Sequence, residues 1–231
     1  IVVNGASISA QDRINIYLNN VNINTPAGPA LQIADNVDAK VTIYLTGTNN
    51  LITTNQFSAG LQKNNEAQLI ITSASDTTTG ILKASSDGLN GAGIGGGQGN
   101  TGSNITISGG SVTATSTFGA GIGGDKGYTG SDITISGGSV TATSGSGAGI
   151  GGGQGNTGTE ITISGGSVTA TSTSGAGIGG GQGNTGSKIT ISGGSVNAQI
   201  DCRPHKNLDS SGNYDQKSPN VYLCTIPNEG N

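Results

Sequence analysis

Apolar residues along this chain come in short alternating pairs rather than in long runs. Ala92 and Ile94 are followed by Ile105 and Ile107, then by Val112 and Ala114; one residue separates the members of each pair, and Gly, Asn or Ser bound it. Alternation with a period of two is the pattern of a half-buried strand, and the punctuation predicts a turn after each one. The group of three pairs then returns. Ile94, Ile122, Ile150 and Ile178 are 28 residues apart, as are Ile105, Ile133, Ile161 and Ile189, and Val112, Val140, Val168 and Val196. Four copies of one unit are present, which written once reads GAGIGGGQGNTGSNITISGGSVTATS. Strands too short to make a hairpin sheet alone, repeated at a fixed period, predict one coil of a parallel β-helix per repeat, with three short strands per coil. Each strand then pairs with its equivalent one coil away, the apolar pairs point inward, and Gly109 and Gly110 turn the corner between the second and third strands.

The upstream half keeps the step less regularly. Ile14 and Ile16 lead to Val41 and Ile43 after 27 residues, and these to Leu69 and Ile71 after 28. The next step, to Ile105 and Ile107, is longer, and the extra length is expected at Asp76 to Thr79. Ala59 and Leu61, in SAGLQ, take the place of the later GAGIG. The count is about seven coils, a stack of roughly 34 Å at about 4.8 Å per strand spacing. The expected organisation is a β-helix over residues 1–198, with an N-terminal cap at 1–13 and the most regular repeats at 105–198. Residues 199–231 break the pattern and are expected to cap the other end or lead away from it, because bare solenoid ends are edge strands.

Composition changes the picture in two ways. Gly makes up 44 of 231 residues, only 31% of the chain is hydrophobic and 3% is aromatic, which excludes an ordinary α/β enzyme with a large aliphatic core. The Gly does not recur every third residue, so collagen is excluded as well. Low hydrophobicity ordinarily signals disorder, but disorder also goes with high net charge, and here it is only −4. Repetition is therefore what orders the chain. The charge balance, with no basic run or interleaved aromatics, argues against nucleic acid, and no apolar stretch reaches the roughly 20 residues of a membrane-spanning helix. The lack of an initiator Met fits a mature product or an excised piece. Cys202 and Cys224 would, if paired, close a loop of 22 residues worth about 3 kcal/mol and imply an oxidising, exported setting; two free thiols are the alternative.

Stacking turns sequence columns into ladders on the outside. Thr113, Thr141 and Thr169 form one, with Thr115, Thr143 and Thr171 beside it, and Thr106, Thr134, Thr162 and Thr190 form another. Outward positions lie about 6.7 Å apart along a strand and about 4.8 Å apart between coils, which makes a flat lattice of hydroxyls and methyls. The T-x-T rows resemble the ice-binding rows of insect antifreeze β-helices; Thr is also simply a soluble strand former. Gly93, Gly121, Gly149 and Gly177 leave the third face bare, either as a groove for an extended polysaccharide or for tight packing of the adjoining loop. In that loop three copies offer Gln98 and Asn100, Gln154 and Asn156, and Gln182 and Asn184. The fourth substitutes Asp125, Lys126 and Tyr128, with Phe118 where other copies have Ser146 and Ser174. Amides that bond hydroxyls and a ring that stacks on a pyranose make this edge the candidate sugar site.

Catalytic signatures fail one by one. GAGIGG matches G-x-G-x-x-G, but it repeats four times with no helix after it, so a dinucleotide site is not expected. The loop GGQGNTG is similar to the calcium-binding G-G-x-G-x-D nonapeptide with Thr101 in place of the Asp, which leaves at most weak calcium sites built from carbonyls and no other cofactor. Glycoside hydrolysis needs two carboxylates at a set separation. The stacked acids Asp132 and Glu160 lie in the column Asn104, Asp132, Glu160, Lys188, which reads as a surface charge ladder. His205 and Arg203 lie in the C-terminal segment, far along the axis. The chain is expected not to be an enzyme.

GAGIGGGQGNTG and ITISGGSVTATS, together with the upstream PALQIADNVDAKVTIYLTGTNNL, resemble the repeat region of large secreted and cell-surface proteins of Gram-positive and gut bacteria. The resemblance covers roughly residues 14–198. It implies a right-handed parallel β-helix, an extracellular setting and an adhesin-like or carbohydrate-binding role with polysaccharide or cell-surface glycan as partner. SVNAQI followed by VYLCTI resembles the junction where such proteins pass into a further β domain. The expected function is a non-catalytic extracellular module for adhesion; a structural spacer or fibre subunit assembling end to end, and an ice binder, are the alternatives.

Overall fold

The structure, a computed structural model, describes residues 1–4, 11–75 and 79–200. These form a right-handed parallel β-helix of seven coils with three seven-stranded sheets and no helix. Sheet 1 takes Val2–Val3, Leu31–Ile33, Leu61–Lys63, Ile94–Gly95, Ile122–Gly123, Ile150–Gly151 and Ile178–Gly179. Sheet 2 takes Arg13–Asn19, Lys40–Thr46, Leu69–Ser73, Ile105–Ile107, Gly130–Ile135, Gly158–Ile163 and Gly186–Ile191. Sheet 3 takes Asn22–Thr25, Thr48–Thr53, Ile81–Ser86, Ser111–Ser116, Ser139–Ser144, Ser167–Ser172 and Ser195–Ala198. Each coil contributes one strand to each sheet, in that order.

The 28-residue step is the hydrogen-bond register. Ile105 pairs with Ile133, Ile133 with Ile161 and Ile161 with Ile189; Val112, Val140, Val168 and Val196 follow one another in the same way. The inward columns form one continuous core along the axis, fully buried in the inner coils and partly covered at the ends, where Ile14, Ile16, Ile23, Val196 and Ala198 lie. Ile14 and Ile16 pair with Val41 and Ile43, and these with Leu69 and Ile71, so the first three coils share the frame. Residues 201–231, with Cys202, Cys224, Arg203 and His205, lie outside the described residues, as do 5–10 within the expected N-terminal cap. Val2–Val3, also in that segment, forms the outermost strand of sheet 1.

Two corners explain the punctuation. Gly110 sits at φ +86, and its equivalents Gly138, Gly166 and Gly194 at +79 to +81, the left-handed region where a side chain is strained. At the corner from sheet 3 to sheet 1, the last Ser of SVTATS turns inward. Ser116, Ser144 and Ser172 donate their hydroxyls to the carbonyls of Gly91, Gly119 and Gly147 at 2.6–2.7 Å, closing each coil on itself.

The long step from Leu69 to Ile105 has two sources. Leu69 and Ile81 pair with Val41 and Thr48, so five extra residues fall between sheets 2 and 3, around the expected Asp76 to Thr79. Leu61 and Ile94 are partners, as are Leu69 and Ile105, so three more fall in the loop after Ile94. That second lengthening creates the glycine-rich loop of the later coils.

The bare third face is not a groove. Gly93, Gly121, Gly149 and Gly177 are all buried, because each sheet 1 strand crosses directly over the end of a sheet 3 strand. A Cβ on Gly149 would lie 2.7 Å from Gly177 O and 2.8 Å from Ala142 O and Thr171 N, so only hydrogen fits. Of the two alternatives for this face tight packing holds and the polysaccharide groove does not, although the packing is made by strand ends of sheet 3 and not by the adjoining loop. Asn49, in the column of Leu82 and Val112, and Lys63 are polar residues set among the apolar core positions. Paired with Ile33 and fully buried, Lys63 donates from Nζ to Asn65 O and, at 2.9 Å, to Ser103 O. Burial lowers its pKa to about 8 against the opposing pull of Glu66.

Candidate functional site

The loop after each sheet 1 strand docks on the corner between sheets 3 and 1 of the neighbouring coil. The backbone N–H of Gln154 donates to Phe118 O and that of Gln182 to Ser146 O, both at 2.8 Å; Gln98 donates to Phe57 O at 2.5 Å and Lys126 to Asn90 O at 3.0 Å. Two rows therefore run side by side along the axis: loop tips carrying Gln98, Lys126, Gln154 and Gln182, and corners carrying Phe57, Leu89 and Phe118. Phe57 is 50% exposed, Leu89 40% and Tyr128, on the loop, 41%. Lys126 Nζ stands 5.0 Å from the centre of the Phe118 ring, a cation–π contact, and the Tyr128 ring lies against Gly99. Gln154 Nε2 donates to Gln182 Oε1 at 2.9 Å, the start of an amide ladder.

The loop residues divide by role. Asn100 Nδ2 donates to the carbonyls of Gly97 and Gln98. Asn156 Nδ2 donates to Gly127 O, while its Oδ1 accepts from the Thr129 hydroxyl and the Thr157 N–H. These amides brace the loops. Asp125 is turned inward and 3% exposed; its Oδ2 accepts the Gly99 N–H at 2.6 Å, its Oδ1 is buried without a hydrogen-bond partner, and burial raises its pKa. Expected on the sugar edge, Asp125 lies beneath it, because the turn that follows Gly124 points its side chain back under the preceding coil's loop. The exposed set is Lys126, Tyr128, Gln98 and Gln182, with Phe118, Gln154 and Asn184 half-buried. Phe57 and Leu89 join it without having been singled out from the sequence. The signal was there: Phe57 precedes SAG as Phe118 precedes GAG.

The T-x-T lattice forms as expected on sheet 3. Thr113, Thr141 and Thr169 are in register, as are Thr115, Thr143 and Thr171, and Thr143 and Thr171 share a hydroxyl–hydroxyl bond at 3.3 Å. It is three coils deep, ending at Lys83 on one side and Asn197 on the other.

Comparison with known proteins bears on the architecture. The family described as Beta helix repeat matches residues 105–128, 133–154, 161–182 and 189–200. The chain carries a β-helix repeat region. The same stacking continues through the upstream coils, outside the matched segments. No curated protein and no solved structure shows significant similarity to the chain.

The outer side of sheet 2 is the β-helix's other developed surface. One column runs Arg13, Lys40, Gln68, Asn104, Asp132, Glu160, Lys188, from coil 1 to coil 7. Asn104, Asp132, Glu160 and Lys188 each sit at φ 51–56, a left-handed bulge that throws the side chain clear of the strand. The middle column carries the Thr106 to Thr190 ladder, and a shallow groove of about 460 Å³ follows both columns from Gln68 to Lys188. Lys188 is ion-paired with Glu160, which lowers the pKa of the acid and raises that of the base. Asp132 is pushed up, first by burial and then by the neighbouring Glu160 carboxylate. At the far end Tyr17 and Tyr44 stack with centroids 4.9 Å apart and planes at 13°. Among the described residues no three of His, Cys, Asp and Glu come together as metal ligands.

Proposed function

We propose that the β-helix is a non-catalytic, exported module that binds an extended polysaccharide along its loop edge. The observation that carries this reading is the pairing of two rows: apolar corners with the exposed ring of Phe57 and the half-buried ring of Phe118, and beside them the Gln98, Gln154 and Gln182 amides. Phe57 and Phe118 stand two coils apart, about 10 Å, so a polymer lying along the axis stacks successive rings on them while the amides bond its hydroxyls. The protein does not have to rearrange its backbone, because both rows are held by backbone hydrogen bonds between coils. Affinity electrophoresis across a panel of plant, microbial and mucosal polysaccharides tests it. Retention on at least one neutral polymer is expected, and Phe118→Ala with Tyr128→Ala should weaken it about tenfold or more. No retention on any polymer, or retention untouched by the double variant, refutes the reading.

A further inference from the structure

The charges on the outer side of sheet 2 are ordered along the axis, and their order is self-complementary. Coils 1 and 2 present Arg13 and Lys40, coils 3 and 4 the amides Gln68 and Asn104, and coils 5 and 6 the carboxylates Asp132 and Glu160. A two-fold axis parallel to the strands, passing between coils 3 and 4, would bring a second copy face to face with its stack reversed. Coil n of one copy then meets coil 7 − n of the other, and each column faces itself. Arg13 falls opposite Glu160, Lys40 opposite Asp132 and Gln68 opposite Asn104. The third outward column obeys the same rule by size. The bulky Tyr17 and Tyr44 meet the small, exposed Ser164 and Ser136, and near the axis Ile70 meets the methyl of Thr106. A two-fold along the stack instead would set the charged column against the tyrosine column and satisfy none of these pairings.

We propose that the chain forms an antiparallel homodimer through the outer face of sheet 2. An isologous contact of this kind needs one surface complementary to itself, and here charge and size both supply it. Six coils at about 4.8 Å and three outward positions about 6.7 Å apart give roughly 500 Å² per copy, about 1,000 Å² in total. That is the low end for a specific interface, so the dimer dissociates on dilution and, resting on charge pairs, on adding salt. Lys188 lies beyond the partner's first coil and keeps its own pair with Glu160. The polysaccharide edge lies on a different side of the coil, so the two proposals stand or fall separately.

Sedimentation velocity across protein and NaCl concentration, on the full chain, is the test. Wild type should show a monomer–dimer equilibrium that shifts to monomer in high salt. Arg13→Glu with Lys40→Glu, and separately Asp132→Lys with Glu160→Lys, should each weaken dimerisation more than about tenfold, since like charges then face each other. The lysines are tolerated locally, because Lys188 already occupies this column at the same φ. Mixing the two double variants restores all four ion pairs and should recover the wild-type dimer, which also shows that both are folded. A monomer at every concentration overturns the proposal, as does unchanged dimerisation of either double variant or failure of the mixture to dimerise. Loss of polysaccharide retention in both variants without any dimer in wild type would assign the face to glycan instead.

Discussion

At the position of Asp125 the other three copies of the loop carry Gly97, Gly153 and Gly181. The carboxylate gains the Gly99 N–H but leaves Oδ1 buried without a hydrogen-bond partner, a cost that protonation lightens. Its folded-state pKa lies above the usual 3.8, so the folded chain holds a proton that the unfolded chain has already lost. Stability therefore falls as pH rises from 3.8 through the folded value. Asp125→Asn keeps an oxygen for Gly99 and removes the charge. Urea unfolding at several pH values should show this fall reduced in the variant; an identical profile would exclude Asp125 as its source. Lys63 has the opposite sign from the same cause, burial of a charge. Its folded pKa of about 8 lies below the ordinary lysine value of 10.5, so between them the unfolded chain binds more protons and the folded state gains as pH rises. Lys63→Met lacks that gain, and the stability of wild type relative to the variant should climb between about pH 8 and 10.5.

At the scale of the strand and its corners, glycine separates into positions that need space and positions that need conformation. Gly149 is pressed between the carbonyls of Gly177 and Ala142, and Gly149→Ala should destabilise the chain by about 1–3 kcal/mol through forced backbone movement. Gly155 has φ +80 and nothing within 4 Å of an added Cβ, so Gly155→Ala costs only the conformational penalty, about 1 kcal/mol. Chemical denaturation of the two variants distinguishes the causes. This difference was not legible in the sequence, where both are glycines in constant columns: the period says that a residue recurs, not which neighbouring strand covers it. For the same reason Gly93 could be taken as the floor of a groove, and Asp125, Asn100 and Asn156 as parts of a surface. Loop side chains have no alternation to set their direction. Strand side chains do, so Ile105, Thr106 and Ile107, and the Thr113 and Thr115 ladders, were placed correctly by alternation alone. Phe118 and Tyr128 were legible as departures from a constant column, whereas the Tyr17–Tyr44 stack and Phe57 emerge only once the irregular upstream coils are set in register.

Across the whole molecule, contacts run between neighbouring coils, and the core grows by one unit for every 28 residues. Stability in such a stack is close to a sum of coil and interface terms, so the middle coils are interchangeable in a way that parts of a globular core are not. Deleting residues 133–160 removes one full period and joins Asp132 to Ile161, whose surroundings repeat those of Ile133. The shortened chain should fold into six coils with an unchanged circular dichroism signature and a modestly lower unfolding midpoint. Deleting residues 133–146, half a period, sets glycine loops against strands, buries polar side chains in the core columns and should abolish the cooperative transition. If the half-period deletion folds as well as the full one, register is not what holds the chain together. The 28-residue deletion also removes Glu160 and leaves Asp132 as the one carboxylate of its column. A chain that keeps the fold should therefore lose most of its self-association, which separates the energetics of stacking coils from those of pairing faces.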